Sequence, residues 1–253
     1  MTYEKAFKAT FERPRQRAEQ WVWRGDADTF ADGVPFHARD LLQPEAGAIS
    51  PFGGAGKRCV DLVLSVLLLP VAAAVALPVA CLVALSGGSP IYGHLRVGWN
   101  GRLFRCYKFR TMIVKAEDEL QIILEQNPMA RQEWLDRFKL ENDPRVTPLG
   151  RWLRATYLDE IPQIWNVLRG DMSWVGPRPI IPDEMSKYTI YLPAYFACRP
   201  GISGLWQTRR RSETTYTERV AFDVEYARKW SVARDLMILF LTIPRILFAG
   251  NDG

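Results

Sequence analysis

The chain has 253 residues, enough for one large domain or two small ones, and its 48% hydrophobic content allows a substantial core. Its 33 Lys and Arg outweigh 28 Asp and Glu by five charges, and its four cysteines (Cys59, Cys81, Cys106, Cys198) and two histidines (His37, His94) are scattered. With no CxxC pair and no His cluster, there is little basis for a disulfide scaffold, a Cys/His zinc site or a Ser-His-Asp triad, and a reducing compartment fits.

Residues 1–56 mix aromatics such as Trp21 and Trp23 with interleaved charges, and end in a Gly/Pro/Ser-rich stretch from Gln43 to Gly56. The start, Met1 to Arg17, is too charged for a signal peptide. This arm reads as an extension closed by a linker.

Residues 57–90 read as a membrane segment. From Leu62 to Leu85 there are 24 residues without a charge. As a straight helix they would extend roughly 36 Å, more than a hydrocarbon core of about 30 Å requires. Two details oppose a simple span. Pro70 and Pro78 lie inside the run, and each removes a backbone hydrogen bond and bends a helix. Both flanks are basic, with Lys57 and Arg58 before and Arg96, Arg102, Arg105, Lys108, Arg110 and Lys115 after. Because Lys and Arg mark the cytoplasmic side, a bent helix that enters and leaves on one face is an alternative to a span.

Residues 91–253 form the remaining unit. Ile91-Tyr92-Gly93 and Leu103 to Phe109 are short aromatic-rich runs, and Asn100-Gly101 between them signals a hairpin turn. No Asp or Glu occurs between Leu62 and Ala116, so the basic residues there form a block suited to a membrane surface or a phosphate-bearing ligand. Lys108 and Arg110 are its candidates for phosphate contact. Residues 115–140 read as an amphipathic helix or helix pair broken near Asn127-Pro128. Thr156-x-x-Asp159 has the form of a capping box, followed by an apolar helical face at Ile161, Ile164, Trp165 and Leu168 and a C-cap at Gly170. Tyr216 to Trp230 reads as a helix. Asp235 to Phe248 is apolar, too short to span, and suits a helix lying in the membrane interface.

The chemistry concentrates around Asp159 and Glu160, adjacent carboxylates at the expected helix start. Free N–H groups and the helix dipole there favour ionisation. An ionised carboxylate can attack phosphorus or hold a hard cation. Neighbours on a helix point about 100° apart, so the two can take separate roles. Taken alone, acidic residues in a first turn are ordinary capping. Arg154, Arg178 in Pro177-Arg178-Pro179, and Arg199 in Arg199-Pro200-Gly201 change the balance, because arginines held on loops around a carboxylate pair suit a diphosphate.

From about Lys57 onward the chain resembles the bacterial sugar transferases, monotopic polyprenyl-phosphate hexose-1-phosphate transferases. The resemblance rests on Lys57-Arg58-x-x-Asp61, Tyr107-Lys108-Phe109-Arg110-Thr111-Met112, Leu158-Asp159-Glu160-Ile161-Pro162-Gln163, Asn166 to Ser173, Val175-Gly176-Pro177-Arg178-Pro179, and Arg199-Pro200-Gly201-x-x-Gly204-x-Trp206-Gln207. It is closest to the members that initiate exopolysaccharides with galactose or glucose phosphate. The resemblance implies a mainly α fold with a small β-hairpin (α+β), a re-entrant N-terminal helix, interfacial helices, and a catalytic domain on the cytoplasmic face of the bacterial inner membrane. It implies Asp159 as the nucleophile that takes the sugar phosphate from a UDP-sugar and releases UMP, and Glu160 as the ligand of Mg2+ (or Mn2+). Arg154, Arg178 and Arg199 match positions that line the phosphate site. The implied acceptor is undecaprenyl phosphate; membrane lipid is a partner, nucleic acid is not, and a homodimer is compatible. Two departures stand out. The family bends its helix at a Ser-Pro that would fall near Ala73-Ala74, whereas the prolines here flank that point, and Tyr157 stands where the family has a small hydroxyl residue. A non-catalytic membrane-anchored protein with the same fold would leave Asp159 without effect, and a nucleic-acid binder would use the basic block.

Overall fold

The computed structural model describes residues 54–137, 140–209 and 214–247. The reading of residues 1–56 as an extension therefore lies almost wholly outside the described residues. The fold is mostly helical. Helix α1 (Gly54–Leu85) leads into a hairpin of β1 (Ile91–Val97) and β2 (Leu103–Phe109), then α2 (Ala116–Gln126), α3 (Pro128–Arg137) and α4 (Pro148–Ala155). A 3-10 turn at Leu158–Glu160 precedes α5 (Gln163–Arg169) and β3 (Ser173–Val175). A 3-10 segment (Pro182–Tyr191), α6 (Leu192–Phe196), β4 (Gly201–Ser203), α7 (Leu205–Arg209), α8 (Tyr216–Arg228) and α9 (Val232–Leu247) complete it.

The hairpin follows its turn signal. Asn100 and Gly101 both take positive φ, 55° and 72°, and Gly98 N donates to the Arg102 carbonyl at 2.8 Å. In the resulting antiparallel register Tyr92 faces Lys108, His94 faces Cys106 and Arg96 faces Phe104. Asn127 separates α2 from α3, its Oδ1 accepting from the N–H groups of Met129 and Ala130 at 3.0 and 3.1 Å. The Thr156-Asp159 capping box does not form. Thr156 instead ends α4, its Oγ1 donating to the Trp152 carbonyl at 2.9 Å, and the next helix starts only at Gln163. The capping box lies further on, where Thr215 and Glu218 bond reciprocally to start α8. Gly170 closes α5 with φ 88°, as its position suggested.

Helix α1 is continuous through Pro70 and Pro78. It is buried only near its ends, at Lys57, Asp61 and Ser65 and again at Val79 and Val83, while residues 66–71 and 73–75 are exposed. The N-terminal end docks by polar contacts. Lys57 Nζ donates to Asp235 Oδ2 at 2.6 Å and to the Val175 carbonyl at 3.0 Å, and Asp61 Oδ1 accepts from Ser173 Oγ at 2.9 Å and Trp174 N at 3.1 Å. Arg58 caps α5, donating to the carbonyls of Val167 and, at 2.7 Å, Leu168. The C-terminal end docks by apolar packing of Val79 and Val83 with Phe109 and Leu153, flanked by Leu158 and Ile161.

Two further apolar clusters close the domain. One joins Val97 and Ile180 to Tyr188, Tyr195, Val220 and Val224; the other joins Val175 and Leu205 to Tyr226 and Ile238. Strands β3 and β4 pair in parallel, with backbones so close that a Cβ on Gly201 would lie 2.1 Å from Gly176 N. Helix α9 buries Asp235 and Ile238 and exposes Leu236, Met237, Phe240, Leu241 and Ile243, the one-sided pattern expected of an interfacial helix.

Candidate active site

Three elements bring the expected residues together. Strand β2 presents Lys108 from the face it shares with Cys106. Helix α4 presents Arg154, whose Nε donates to Thr111 Oγ1 at 2.9 Å. The helix sits this close to the strand end because residue 150 is glycine: a Cβ there would lie 1.9 Å from the Thr111 carbonyl oxygen. Tyr157 then turns the chain with φ 56°, and the Leu158–Glu160 turn follows. The positive φ at a bulky residue is a strained conformation. It sets Asp159 inward, 6% exposed, with Glu160 beside it.

Lys108 Nζ lies 2.5 Å from Glu160 Oε1 and 3.8 Å from Asp159 Oδ2, so one ammonium faces both carboxylates. Burial raises the Asp159 carboxyl above its usual range; Glu160 adds to that, while Lys108 and Arg154 oppose it. The expectation that a helix start would favour ionisation is thus reversed, because Asp159 lies in a buried turn ahead of the helix. A carboxylate destabilised by its surroundings and still paired with cations is a better nucleophile than a fully solvated one.

The remaining candidates divide. Arg178 is open to solvent by surface area, yet burial and the nearby charges of Arg219 and Arg96 disfavour its charged form. Arg110 and Arg199 do not join the group around Asp159. Strand β2 ends at Phe109, and Arg110 folds back on the end of α1, donating to the Ser89 carbonyl at 2.9 Å, the Val83 carbonyl at 3.1 Å and the Gly87 carbonyl. Arg199 lies at the far end of α5, its Nε donating to the Gly170 carbonyl at 2.9 Å and its guanidinium 4.6 Å above the Trp99 ring.

Among the described residues no three His, Cys, Asp or Glu side chains cluster to hold a metal. A Mg2+ ion needs only one or two protein carboxylates, the rest of its shell coming from water and substrate phosphates. Glu160, partly exposed beside Asp159, is the protein group available for it.

Residues 52–249 match the family described as bacterial sugar transferase. The chain belongs to that family. Among similar proteins, the exopolysaccharide production protein ExoY of Sinorhizobium fredii is 46% identical over 207 residues, 81% of this chain and 92% of the relative. The undecaprenyl-phosphate galactose phosphotransferase of Salmonella typhimurium is 46% identical over 191 residues, and the match spans 76% of this chain but only 40% of that protein. The UDP-glucose:undecaprenyl-phosphate glucose-1-phosphate transferase of Caulobacter vibrioides is 37% identical over 204 residues, 77% of this chain and 71% of the relative. The family placement makes the chain a transferase.

Sequence reasoning passed over Thr111, Arg96, Arg219 and Glu184. Arg96 left a trace in the basic block and Thr111 in the motif Tyr107 to Met112; Arg219 and Glu184 become neighbours through folding.

Proposed function

We propose that this transferase moves hexose-1-phosphate from UDP-galactose or UDP-glucose to undecaprenyl phosphate and releases UMP, the first membrane step of exopolysaccharide assembly. One observation carries the reading: a buried Asp159, set by a strained turn, faces Lys108 and Arg154 with Glu160 at its side. Asp159 Oδ attacks the sugar-bearing phosphorus, a new P–O bond forms, and the bond to the bridging oxygen breaks with its electron pair leaving on UMP. A terminal oxygen of the lipid phosphate then displaces Asp159 from the same phosphorus. Splitting one displacement into two avoids bringing both anionic substrates together at once. Glu160 would be the protein group that holds Mg2+, which when bound would neutralise phosphate charge. Lys108 holds Glu160 in place, and Arg154, fixed by Thr111, faces the transferred phosphate.

The same reading puts the domain on the cytoplasmic face, where nucleotide sugars are, with α1 re-entering the membrane. The two docked ends of α1 support this. Arg58 and Val79 are 21 residues apart, about 31 Å in a straight helix. Yet Arg58 bonds the Val167 carbonyl while Val79 shares a packed cluster with Ile161, only six residues earlier on the same short segment.

The deciding experiment is UMP release by detergent-solubilised protein with undecaprenyl phosphate and a panel of UDP-sugars. UDP-galactose or UDP-glucose should be turned over, and UDP-sugar alone should label a peptide containing Asp159. Asp159→Asn should lose at least about a thousandfold in turnover, as expected when a nucleophile is removed. Near-normal turnover in that variant would exclude Asp159 as nucleophile. Excess EDTA should abolish activity and added Mg2+ or Mn2+ restore it; full activity in EDTA would remove the metal from the scheme.

A further inference from the structure

The β1–β2 hairpin carries, beside the carboxylate pair, a polar side chain that the proposed transfer leaves idle. In an antiparallel ladder, residues that face each other project from the same side of the sheet, and so do residues two along the strand. Tyr92 faces Lys108, and His94 faces Cys106. Tyr92, His94 and Lys108 therefore share one side of the hairpin, with His94 diagonal to Lys108 at roughly 7–8 Å. The Tyr92 and His94 rings are neighbours accordingly, their centroids 6.0 Å apart. Lys108 Nζ in turn lies 2.5 Å from Glu160 Oε1 and 3.8 Å from Asp159 Oδ2. A short strip thus runs from the carboxylates over Lys108 to Tyr92 and His94.

This strip is open to solvent where it borders the carboxylates: Tyr92 is 43% exposed and the Lys108 side chain 36%. Tyr92 is held in place, its Oη donating to Glu117 Oε1 on α2 at 3.0 Å. His94 has no such anchor. Its Nδ1 is buried without a hydrogen-bond partner among the described residues, and the ring as a whole is half-buried. Burial and the charge of Arg96 push the imidazole down to about 4, outweighing the Glu117 carboxylate and the Leu95 backbone. At neutral pH the ring is therefore uncharged, with one nitrogen that donates and one that accepts.

Resting on the sugar-phosphate reading above, we propose that His94, with the Tyr92 ring beside it, contacts a hydroxyl of the hexose and so determines which hexose is accepted. Asp159 attacks the phosphorus that carries the sugar, and a single oxygen separates that phosphorus from the sugar ring. The hexose must then lie against groups that border the carboxylate pair. Lys108 and Arg154 are suited to the anionic phosphate. The hexose is uncharged, and it requires apolar surface together with a few placed hydrogen-bonding groups. The exposed Tyr92 ring supplies the first, and the neutral imidazole of His94 supplies the second. An anion would gain little from an uncharged ring, so the phosphate is not the ligand of His94.

The test is steady-state sugar transfer to undecaprenyl phosphate by the detergent-solubilised full chain, comparing the accepted UDP-hexose with analogues that lack one hydroxyl at a time. In the wild type, loss of the hydroxyl that meets His94 should lower kcat/KM about ten- to a hundredfold, because the imidazole is left without its partner. His94→Phe keeps a ring and removes both nitrogens. It should lower kcat/KM for the intact hexose by a similar factor and show no further loss with that one analogue, so that the two losses overlap rather than multiply. His94→Gln still donates and accepts, and should keep part of the discrimination. UMP, which carries no hexose, should bind wild type and both variants alike in calorimetric titration. A variant harmed only in its fold would slow every analogue in proportion; unchanged discrimination in His94→Phe, weakened UMP binding, or a wild type indifferent to each missing hydroxyl would overturn the subsite. The two readings separate: an active wild type whose discrimination does not depend on His94 removes the subsite alone, and a wild type that transfers sugar from no UDP-hexose removes the transferase reading and the subsite with it.

Discussion

Burial raises two carboxylates of this domain. At Asp159 it is the largest influence, opposed by Lys108 and Arg154. At Asp223 burial pushes the carboxyl up to about 6, against Arg219 and the Tyr188 hydroxyl. An ordinary Asp titrates near ~4. Between about 4 and about 6 the folded chain holds a proton that the unfolded chain has lost, so this group's contribution to stability falls as pH rises through that window. Thermal unfolding in detergent should show it. Replacing Asp223 by Asn removes the titration, so the melting-temperature difference, variant minus wild type, should grow from pH 4 to pH 6 and then level off. A difference that is flat with pH would mean that Asp223 titrates normally. The residue was silent in the sequence, since nothing in Phe222-Asp223-Val224-Glu225 distinguishes a buried acid from one on a solvated face.

The elements are joined at one polar junction. Lys57 on α1 bridges Asp235 on α9 at 2.6 Å and Asp61 one turn along at 3.6 Å. Tyr226 on α8 donates to Asp235 Oδ1 at 2.6 Å, and Trp174 Nε1 on β3 donates to Ser65 Oγ at 2.9 Å. Four elements thus share a buried ion cluster with two carboxylates and one ammonium. Lys57→Met should cost roughly 3–5 kcal/mol in unfolding free energy, because it leaves both carboxylates buried without their counter-charge. Adding Asp235→Asn should recover part of that, so the double variant should be less destabilised than the sum of the singles. A loss below about 0.5 kcal/mol for Lys57→Met would put the junction among incidental surface pairs. The pair Lys57-x-x-x-Asp61 was visible as a motif, but its partner lies 178 residues away and only packing reveals it.

At the scale of the molecule, the exposed apolar surface gathers on α1 and α9, with Trp152 on α4 and Trp165 on α5 also exposed, at 50% and 57%. Exposed apolar area of this extent marks a lipid-facing side. If α1 re-enters, both its ends lie in the cytoplasm. In a background lacking the four native cysteines, Ser50→Cys and Ser89→Cys should both resist an impermeant maleimide in intact cells and react once the membrane is opened. Labelling of Ser50→Cys from outside would show that α1 spans instead.

The sequence by itself determined what local chemistry controls. The charge-free run with basic flanks specifies a membrane helix. Asn100-Gly101 specifies the hairpin turn because both residues tolerate positive φ. Asp159-Glu160 and the loop arginines raised the expectation of phosphate chemistry. Tertiary structure decided what depends on distance through space. It converted an expected helix start at Thr156 into a strained turn, since burying Asp159 against Lys108 requires the chain to reverse at Tyr157. It turned Arg110 and Arg199 to the ends of α1 and α5, where free carbonyl oxygens attract cations. It also gathered Arg96, Arg178 and Arg219 from three separate segments around Glu184. No period or spacing encodes such convergence, because it arises only when the apolar clusters that bury those segments have formed.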